Sequence, residues 1–140
     1  MTELSAIEEA LRAFRKVVVV GLSPDPSRPS HQIFRYLVEA GYEVVGVNPT
    51  VKGGMVAGRR CYAALEDVPQ PLEIVDVFRR SEEVPPIAEA AVRAGAKVLW
   101  LQDGVTSPDA ESRARDAGLL VVSDRCILRD HARLIGSRPR

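Results

Sequence analysis

Five short apolar segments alternate with helical segments along the chain, and this alternation is what most constrains the fold. The apolar segments are KVVVVGL (16–22), YEVVGVNP (42–49), LEIVDVF (72–78), KVLWLQDG (97–104) and LLVVSDR (119–125). Unbroken valine-rich runs are typical of strands that are buried on both faces, as in parallel sheets. The alternation therefore predicts an α/β domain with a five-stranded, mainly parallel sheet and helices on both of its faces.

Helical segments lie between and around these strands. They span residues 1–16, 31–41, 81–96, 107–118 and 126–136. In the first, either Ser5 and Glu8 form a capping box or the helix begins nearer Thr2. Ser81 and Ser107 are the expected N-caps of the third and fourth helices, whose first turns contain prolines, because a missing N–H group costs least there.

The segment TVKGGMVAGRRCYAAL (50–65) interrupts the alternation. Its glycines and mixed charges predict a loop, with a short extended piece near Arg60 to Tyr62. The predicted five-stranded sheet takes none of its strands from this segment.

The length of 140 residues predicts one domain, residues 1–140, with the N-terminal helix (1–16) packed on it. Its 19 Lys and Arg residues balance 19 Asp and Glu residues, and because the two signs are interspersed no nucleic-acid partner is expected. No apolar run reaches the ~20 residues that span a bilayer, so no membrane partner is expected either. The acidic residues near the start are unlike a secretory signal peptide.

Cys61 and Cys126 are the only cysteines, and they form no CxxC pair. Cysteines used in this way predict a protein of the reducing cytoplasm. Together with His31 and His131 they lack the ligand spacing of a metal site, so no metal is expected.

The fold class predicts where a ligand would bind. In open α/β sheets, ligands lie beyond the carboxyl ends of the strands, at the point where the strand order reverses. Four strand ends carry candidate residues: Gly21-Leu22-Ser23, Asn48-Pro49, Phe78-Arg79 and Gln102-Asp103-Gly104.

Gly21 directly follows the first strand and precedes a helix, which is the context of a phosphate-binding turn. Its missing side chain lets backbone N–H groups approach a phosphate, and the helix N-terminus adds partial positive charge. Ser23 and Ser30 add hydroxyl groups, and Arg28 adds a full positive charge. The dinucleotide fingerprint G-x-G-x-x-G is nevertheless missing, with Gly21-x-Ser23-x-x-Pro26 in its place. The alternative is an ordinary strand-to-helix loop stiffened by prolines.

The end of the second strand bears on which nucleotide would bind. NAD-binding proteins commonly place a carboxylate there for the ribose diol, whereas this chain has Asn48 and Pro49 and no carboxylate in the next ten residues. Lys52 suits a terminal phosphate on the ribose, which leaves NADP and coenzyme A (CoA) as candidates. The alternative is that Asn48-Pro49 only forms a turn.

Polar residues also follow the third and fourth strands. Arg79 can bind a pyrophosphate bidentately, and Phe78 can cover an apolar group. The alternative is that Arg79 and Arg80 are a solvated pair of arginines on a loop, pairing with Glu82 and Glu83. Gln102 offers a neutral hydrogen-bond donor and acceptor at the same edge.

The fifth strand ends in the polar sequence Asp124-Arg125-Cys126. Arg125 and the following helix N-terminus could activate the Cys126 thiol. The alternative is that Cys126 is a small, buried, inert side chain. Neither His31 nor His131 stands at a recognisable motif spacing from a nucleophile.

Taken together, these pieces resemble the small stand-alone CoA-binding protein family, which is related to the N-terminal CoA-binding domain of the succinyl-CoA synthetase alpha subunit. The resemblance runs from about residue 15 to residue 134. It rests on VVVVGLSPDPSRPSHQIFRYLVEAGYEVVGVNP, on LEIVDVFRRSEEVPPIAEAAVRAGAKVLWLQDGV and on GLLVVSDRC, which occur in the family's order and spacing. It implies a Rossmann-like fold with CoA bound across the strand ends.

The resemblance also implies which residues contact CoA. They are Gly21, Leu22, Ser23, Pro24, Arg28, Asn48, Pro49, Lys52, Phe78, Arg79 and Gln102. Gly21 and Ser23, with Arg28, would meet the phosphates. Asn48, Pro49 and Lys52 would border the adenosine and its ribose phosphate. Phe78 and Arg79 would line the other wall, and Gln102 would lie near the pantetheine arm.

The chain departs from the family's pattern at three places. The family commonly reads M-D-R-C at the fifth strand end and then a short stretch ending in Glu, whereas this chain reads SDRC (123–126) and then ILRDH. Asp103 stands where an apolar residue is usual, which adds negative charge near a polyanionic ligand. The synthetase's phosphohistidine and ATP-grasp portions have no counterpart, so ligase activity is not implied.

The function predicted from these residues and this resemblance is non-catalytic binding of CoA or an acyl-CoA. No enzyme activity is assigned, and no protein partner is identified. Two alternatives stay open: an NAD(P)-binding sensor or reductase, and an acyl-CoA enzyme that uses Cys126.

Overall fold

All five apolar segments form strands in the computed structural model, which describes residues 2–51 and 54–136. They are β1 (Lys16–Val20), β2 (Glu43–Val47), β5 (Ile74–Val77), β6 (Val98–Leu101) and β7 (Leu120–Val122). Two further strands, β3 (Met55–Val56) and β4 (Arg59–Tyr62), lie in the segment expected to be a loop. The sheet therefore has seven strands, where the sequence predicted five. The extended piece expected near Arg60 is β4.

The additional strands form a hairpin at one edge of the sheet. β3 pairs antiparallel with β4, and β4 pairs in parallel with β2. Ala57 and Gly58 connect the hairpin, both at positive φ (50° and 78°), the backbone region that a type I′ turn requires. These two strands, MV and RRCY, contain no unbroken apolar run of the length by which the other strands were predicted.

The strand order is β3-β4-β2-β1-β5-β6-β7, and every neighbouring pair except β3–β4 is parallel. Without β3 this is the Rossmann-like order. The order reverses between β1 and β5, because the chain moves outward from β1 to β2 and β4 and then returns to β1's other side.

The five predicted helices are present. They are α1 (Glu3–Ala13), α2 (Pro29–Glu39), α3 (Val84–Arg93), α4 (Pro108–Asp116) and α5 (Ile127–Leu134). The second of the two expected starts of α1 is correct. Thr2 is the N-cap: its hydroxyl accepts the Ser5 N–H at 3.1 Å, and the Ser5 hydroxyl accepts the Thr2 N–H at 2.9 Å.

The expectation that Ser81 caps α3 is wrong. Ser81–Glu83 form a 3-10 turn, and α3 begins after it at Val84. The Ser81 hydroxyl accepts the Thr106 N–H at 3.0 Å and so joins the loops that follow β5 and β6. Ser107 does occupy the N-cap position of α4, but its side chain makes no capping hydrogen bond.

Two apolar clusters cover the two faces of the sheet. On one face α1, α2 and α5 pack on the sheet, with large buried side chains that include Ile7, Leu11, Phe34 and Trp100. On the other face α3 and α4 pack through small residues, mainly alanines. Side chains of successive strand residues point to opposite faces, so the valines of β1 divide between the two clusters. None of the helices in the described part of the chain is long and apolar enough to cross a membrane.

Candidate functional site

The chain leaves the carboxyl ends of β1 and β5 toward opposite faces of the sheet. α2 follows β1 on one face, and α3 follows β5 on the other. This divergence opens a crevice at the carboxyl edge, which is where ligands of such sheets bind. Two cavities, of about 450 and 610 Å³, lie at this edge.

The two cavities meet at Arg79, which lines both of them. The smaller lies beside the ends of β1 and β2, and its wall includes Gly21, Pro49, Leu65, Glu66, Glu82, Glu83 and Ile87. The larger lies beside the ends of β5 and β6, and its wall includes Pro29, Ile33, Phe78, Gln102, Val105 and Cys126. The structure thus brings five of the sequence-predicted contacts to these walls: Gly21, Pro49, Phe78, Arg79 and Gln102.

Other predicted contacts lie in the adjoining loops. Among the described residues, Leu22, Ser23, Pro24, Arg28 and Asn48 are not part of either wall. Leu22 is fully buried, so neither its side chain nor its main chain is open to a ligand in this conformation. Arg28 is exposed and occupies the N-cap position of α2. Lys52 lies outside the described residues.

The backbone N–H groups of the loop after β1 donate within the protein. Gly21 and Leu22 donate to the Val47 carbonyl at 2.8 and 3.3 Å, and Ser23 donates to the Ser30 hydroxyl at 3.0 Å. In this conformation these three N–H groups are satisfied within the protein, because the loop turns over the end of β2, and their contact with a phosphate stays a prediction. Positive charge at this loop comes instead from Arg28 and from the N-terminus of α2.

Gly21 is required by the close approach of two loops. Its φ is +92°, and a Cβ atom there would lie 2.7 Å from the Phe78 carbonyl oxygen and 2.9 Å from Arg79 Cδ. Real Cβ atoms do not come so near to a backbone oxygen. The absent side chain thus lets the stem of Arg79 cross directly over the turn.

Asn48 ties the end of β2 to the loop after β1. Its Nδ2 donates to the Leu22 carbonyl at 2.8 Å, and its Oδ1 accepts from the Thr50 N–H and hydroxyl at 2.9 and 2.8 Å. The turn that the sequence offered as the alternative at Asn48-Pro49 is present. Its hydrogen bonds hold the wall on which Pro49 lies.

Arg79 pairs with Glu83 through its Nη2 atom, so the pairing offered as the alternative for this arginine is present too. Arg80 reaches the other Glu83 oxygen at 3.4 Å. The hydrogen bond from Arg79 is the main cause of a lowered pKa of the Glu83 carboxyl. Glu66 and Glu82 add further carboxylates to the wall of the smaller cavity.

Gln102 holds the start of α5. It is buried, and its Oε1 accepts the Ile127 N–H at 3.0 Å. Because the first N–H groups of a helix have no partner within it, this bond caps α5 from the end of β6. Gln102 therefore supports the larger cavity as well as lining it.

The residues at the start of α5 are joined by ion pairs. Arg125 pairs bidentately with Asp130 at 2.8 and 2.9 Å and directly precedes the half-buried Cys126. Arg129 pairs bidentately with Asp103 at 2.9 and 3.1 Å. The negative charge that Asp103 was expected to add near a ligand is thus balanced by Arg129.

Asp76 is a residue that the sequence analysis missed. It lies in the middle of β5, fully buried between Val19 of β1 and Trp100 of β6. Neither carboxyl oxygen has a hydrogen-bond partner among the described residues. Burial raises the Asp76 pKa well above its usual value. The signal was one acid within an apolar strand, two residues before Phe78.

Comparison with known proteins identifies the family. A model of the CoA binding domain family matches residues 15–132. An uncharacterized protein of Bacillus subtilis (strain 168), YneT, is 37% identical over 126 residues, which cover 90% of this chain and 92% of that protein. A hypothetical protein from Pyrococcus horikoshii OT3 has a solved structure that covers 97% of this chain and 94% of its own, with a TM-score of 0.90 and 38% identity.

A longer protein matches as well. The alpha subunit of an ADP-forming acetate–CoA ligase of Pyrococcus furiosus is 28% identical over 95 residues, which cover 65% of this chain and 21% of that subunit. The family model covers far more than half of the chain, and it agrees with the family that the three sequence motifs predicted. This chain therefore belongs to the CoA binding domain family.

Proposed function

We propose that this protein binds coenzyme A or an acyl-CoA at the carboxyl edge of its sheet and catalyses no reaction on it. The observation that carries the proposal is the position of Arg79 between two cavities. CoA is a long ligand whose adenosine and pantetheine ends are joined through a pyrophosphate. A guanidinium between two cavities suits such a ligand, since it can pair with the pyrophosphate bidentately while each end occupies one cavity.

In this proposal each wall has its own role. The adenosine binds in the smaller cavity against Pro49, and the pantetheine arm lies in the larger cavity along Phe78 and Gln102. Arg28 and the N-terminus of α2 add to the attraction for the phosphates. Contact of Lys52 with the ribose phosphate stays a prediction from the sequence, as does a cytoplasmic location.

The proposal is tested by thermal unfolding with CoA, acetyl-CoA, dephospho-CoA, NAD and NADP at equal concentrations. A ligand at about 100 times its dissociation constant adds roughly 2.7 kcal/mol to the free energy of unfolding, which raises the midpoint by a few degrees for a domain of this size. We expect a shift with CoA and acetyl-CoA, and a smaller one with dephospho-CoA. A shift of the unfolding midpoint with NADP and none with CoA would mean that the ligand is a dinucleotide and not CoA.

One observation favours a second candidate function, an acyl-CoA enzyme. Cys126 lies on the wall of the larger cavity, where the proposed pantetheine arm would bring a thioester. Incubation of the protein with acetyl-CoA separates the candidates. Release of free CoA by the wild type, lost in Cys126→Ser with acetyl-CoA binding intact, would favour the enzyme. Binding without release would favour the non-catalytic protein.

A further inference from the structure

Glu83 accepts hydrogen bonds from two neighbouring arginines. One carboxylate oxygen accepts a hydrogen bond from Arg79 Nη2, and the other accepts one from Arg80 Nε at 3.4 Å. Glu83 lies in the 3-10 turn that connects β5 to α3, with about a third of its side chain exposed. A carboxylate held between two guanidinium groups uses the same donors that a phosphate group would use.

Arg79 is held where a ligand would have to meet it. Its stem packs against Gly21, with Cδ 2.9 Å from the position of a Cβ atom there, and its side chain lines both cavities. A phosphate bound at this point and the Glu83 carboxylate would compete for the same N–H groups. They would also repel each other, because like charges at short range are unfavourable.

We infer that the Glu83 carboxylate is an internal competitor of the ligand's phosphate: it holds Arg79 across the crevice when the site is empty and gives up that contact when a phosphate binds. The inference rests on the proposed function and concerns the regulation of the same site. Glu83 then sets how readily CoA enters and leaves. A ligand without a phosphate at this position has nothing with which to displace it.

The test is a titration of CoA into the protein by isothermal calorimetry, with five proteins compared: wild type, Glu83→Gln, Glu82→Gln, Arg79→Gln and the double variant Arg79→Gln/Glu83→Gln. Exposed ion pairs contribute little, so we expect Glu83→Gln to bind CoA about two- to fivefold more tightly than the wild type. Glu82→Gln is the matched control, because Glu82 lines the same cavity and the described residues include no ion-pair partner for it. It should tighten binding by clearly less.

The double variant tests whether Glu83 acts through Arg79. If it does, Glu83→Gln should no longer tighten binding once Arg79 is replaced, since the two effects of contacting residues are coupled. Thermal unfolding without ligand establishes that each variant is folded, and Glu83→Ala serves if Glu83→Gln is not.

Three results would overturn the inference while CoA binding itself stands. Glu83→Gln could bind CoA no more tightly than the wild type, which would mean that the carboxylate orients Arg79 instead of competing for it. Glu82→Gln could tighten CoA binding equally, which would mean that the effect comes from the change in net charge and not from the contact with Arg79. The gain could also persist in the Arg79→Gln background. A wild type that binds no CoA would overturn the proposed function, and the inference with it.

Discussion

The Phe78 carbonyl oxygen lies 2.7 Å from the position that a Cβ atom on Gly21 would occupy. This contact joins the ends of β1 and β5, the two strands between which the strand order reverses. It brings Arg79 over the turn at Gly21, and the two cavities of the crevice meet at that arginine. The glycine is thus explained by packing between strand ends, whether or not a phosphate lies nearby.

Gly21→Ala should lower the free energy of unfolding more than Gly118→Ala, a substitution at a glycine of similar backbone conformation. Gly118 is the matched control: its φ is +98°, and no atom beyond its own stretch of chain lies within 4 Å of the position of its Cβ. Backbone strain costs about 1 kcal/mol at either site. Overpacking against Phe78 adds about 1–3 kcal/mol at residue 21 alone. Urea unfolding measures both free energies, and equal losses would contradict the packing account.

Arg79→Gln should weaken CoA binding far more than Arg80→Gln. A charge-assisted hydrogen bond contributes about 1.5–3 kcal/mol, so loss of the guanidinium in the crevice should cost about 10- to 100-fold in affinity. Arg80 carries the same charge one residue later and borders only the larger cavity. Its side chain is 79% exposed, and Phe78 and Arg79, not Arg80, supply the atoms nearest to the Gly21 Cβ position. Its replacement should cost about twofold or less. Calorimetric titration with CoA measures both, and similar losses would contradict the role given to Arg79.

Asp76 should make stability depend on pH. Its pKa in the folded protein is raised by burial above the value of 3.8 expected when unfolded, so the folded state binds the proton more tightly. Its contribution to stability is complete at a pH below 3.8 and is lost as pH rises toward the folded pKa, by up to about 1.4 kcal/mol per pH unit.

Asp76→Asn removes this titration, so its free energy of unfolding should fall less with rising pH than that of the wild type. Asp116→Asn, at the exposed end of α4, is the matched control, because it makes the same change outside the core. Urea unfolding between about pH 4 and 8 measures the three slopes, a range set by the raised pKa of a buried acid. A wild type and an Asp76→Asn variant with the same slope would show that Asp76 does not titrate in this range.

Gln102→Leu should destabilise the protein by about 1–3 kcal/mol, because the Ile127 N–H at the start of α5 loses its acceptor and stays buried. Gln32→Leu is the control, since Gln32 is exposed and its side-chain hydrogen bonds are long, at 3.3 and 3.4 Å. It should change the free energy of unfolding by about 0.5 kcal/mol or less. Thermal unfolding measures both. If Gln102→Leu left the unfolding midpoint unchanged, the hydrogen bond from the end of β6 to the start of α5 would not contribute to stability.

Much of the fold could be predicted from local pattern. The valine runs and the helical segments between them predicted the parallel sheet, its helices on both faces and the edge at which a ligand would bind. These features are readable because burial of a strand or helix face leaves a periodic trace in the residues of that element itself. The hairpin of β3 and β4 left no such trace, since its strands are short and several of their side chains are exposed.

The sequence by itself determined the fold class, the family and five of the residues that line the crevice. Only the tertiary structure decided what those residues bond to. The Gly21 N–H donates to the Val47 carbonyl, the Asn48 side chain donates to the Leu22 carbonyl, and the Gln102 side chain accepts the Ile127 N–H. The two residues of each pair are separated by 25 or 26 residues along the chain. Hydrogen-bond partners depend on which strand ends the sheet brings side by side, and the strand order is a property of the assembled sheet. A residue's type states what it can donate or accept, and its neighbours across the sheet decide whether that capacity is left for a ligand.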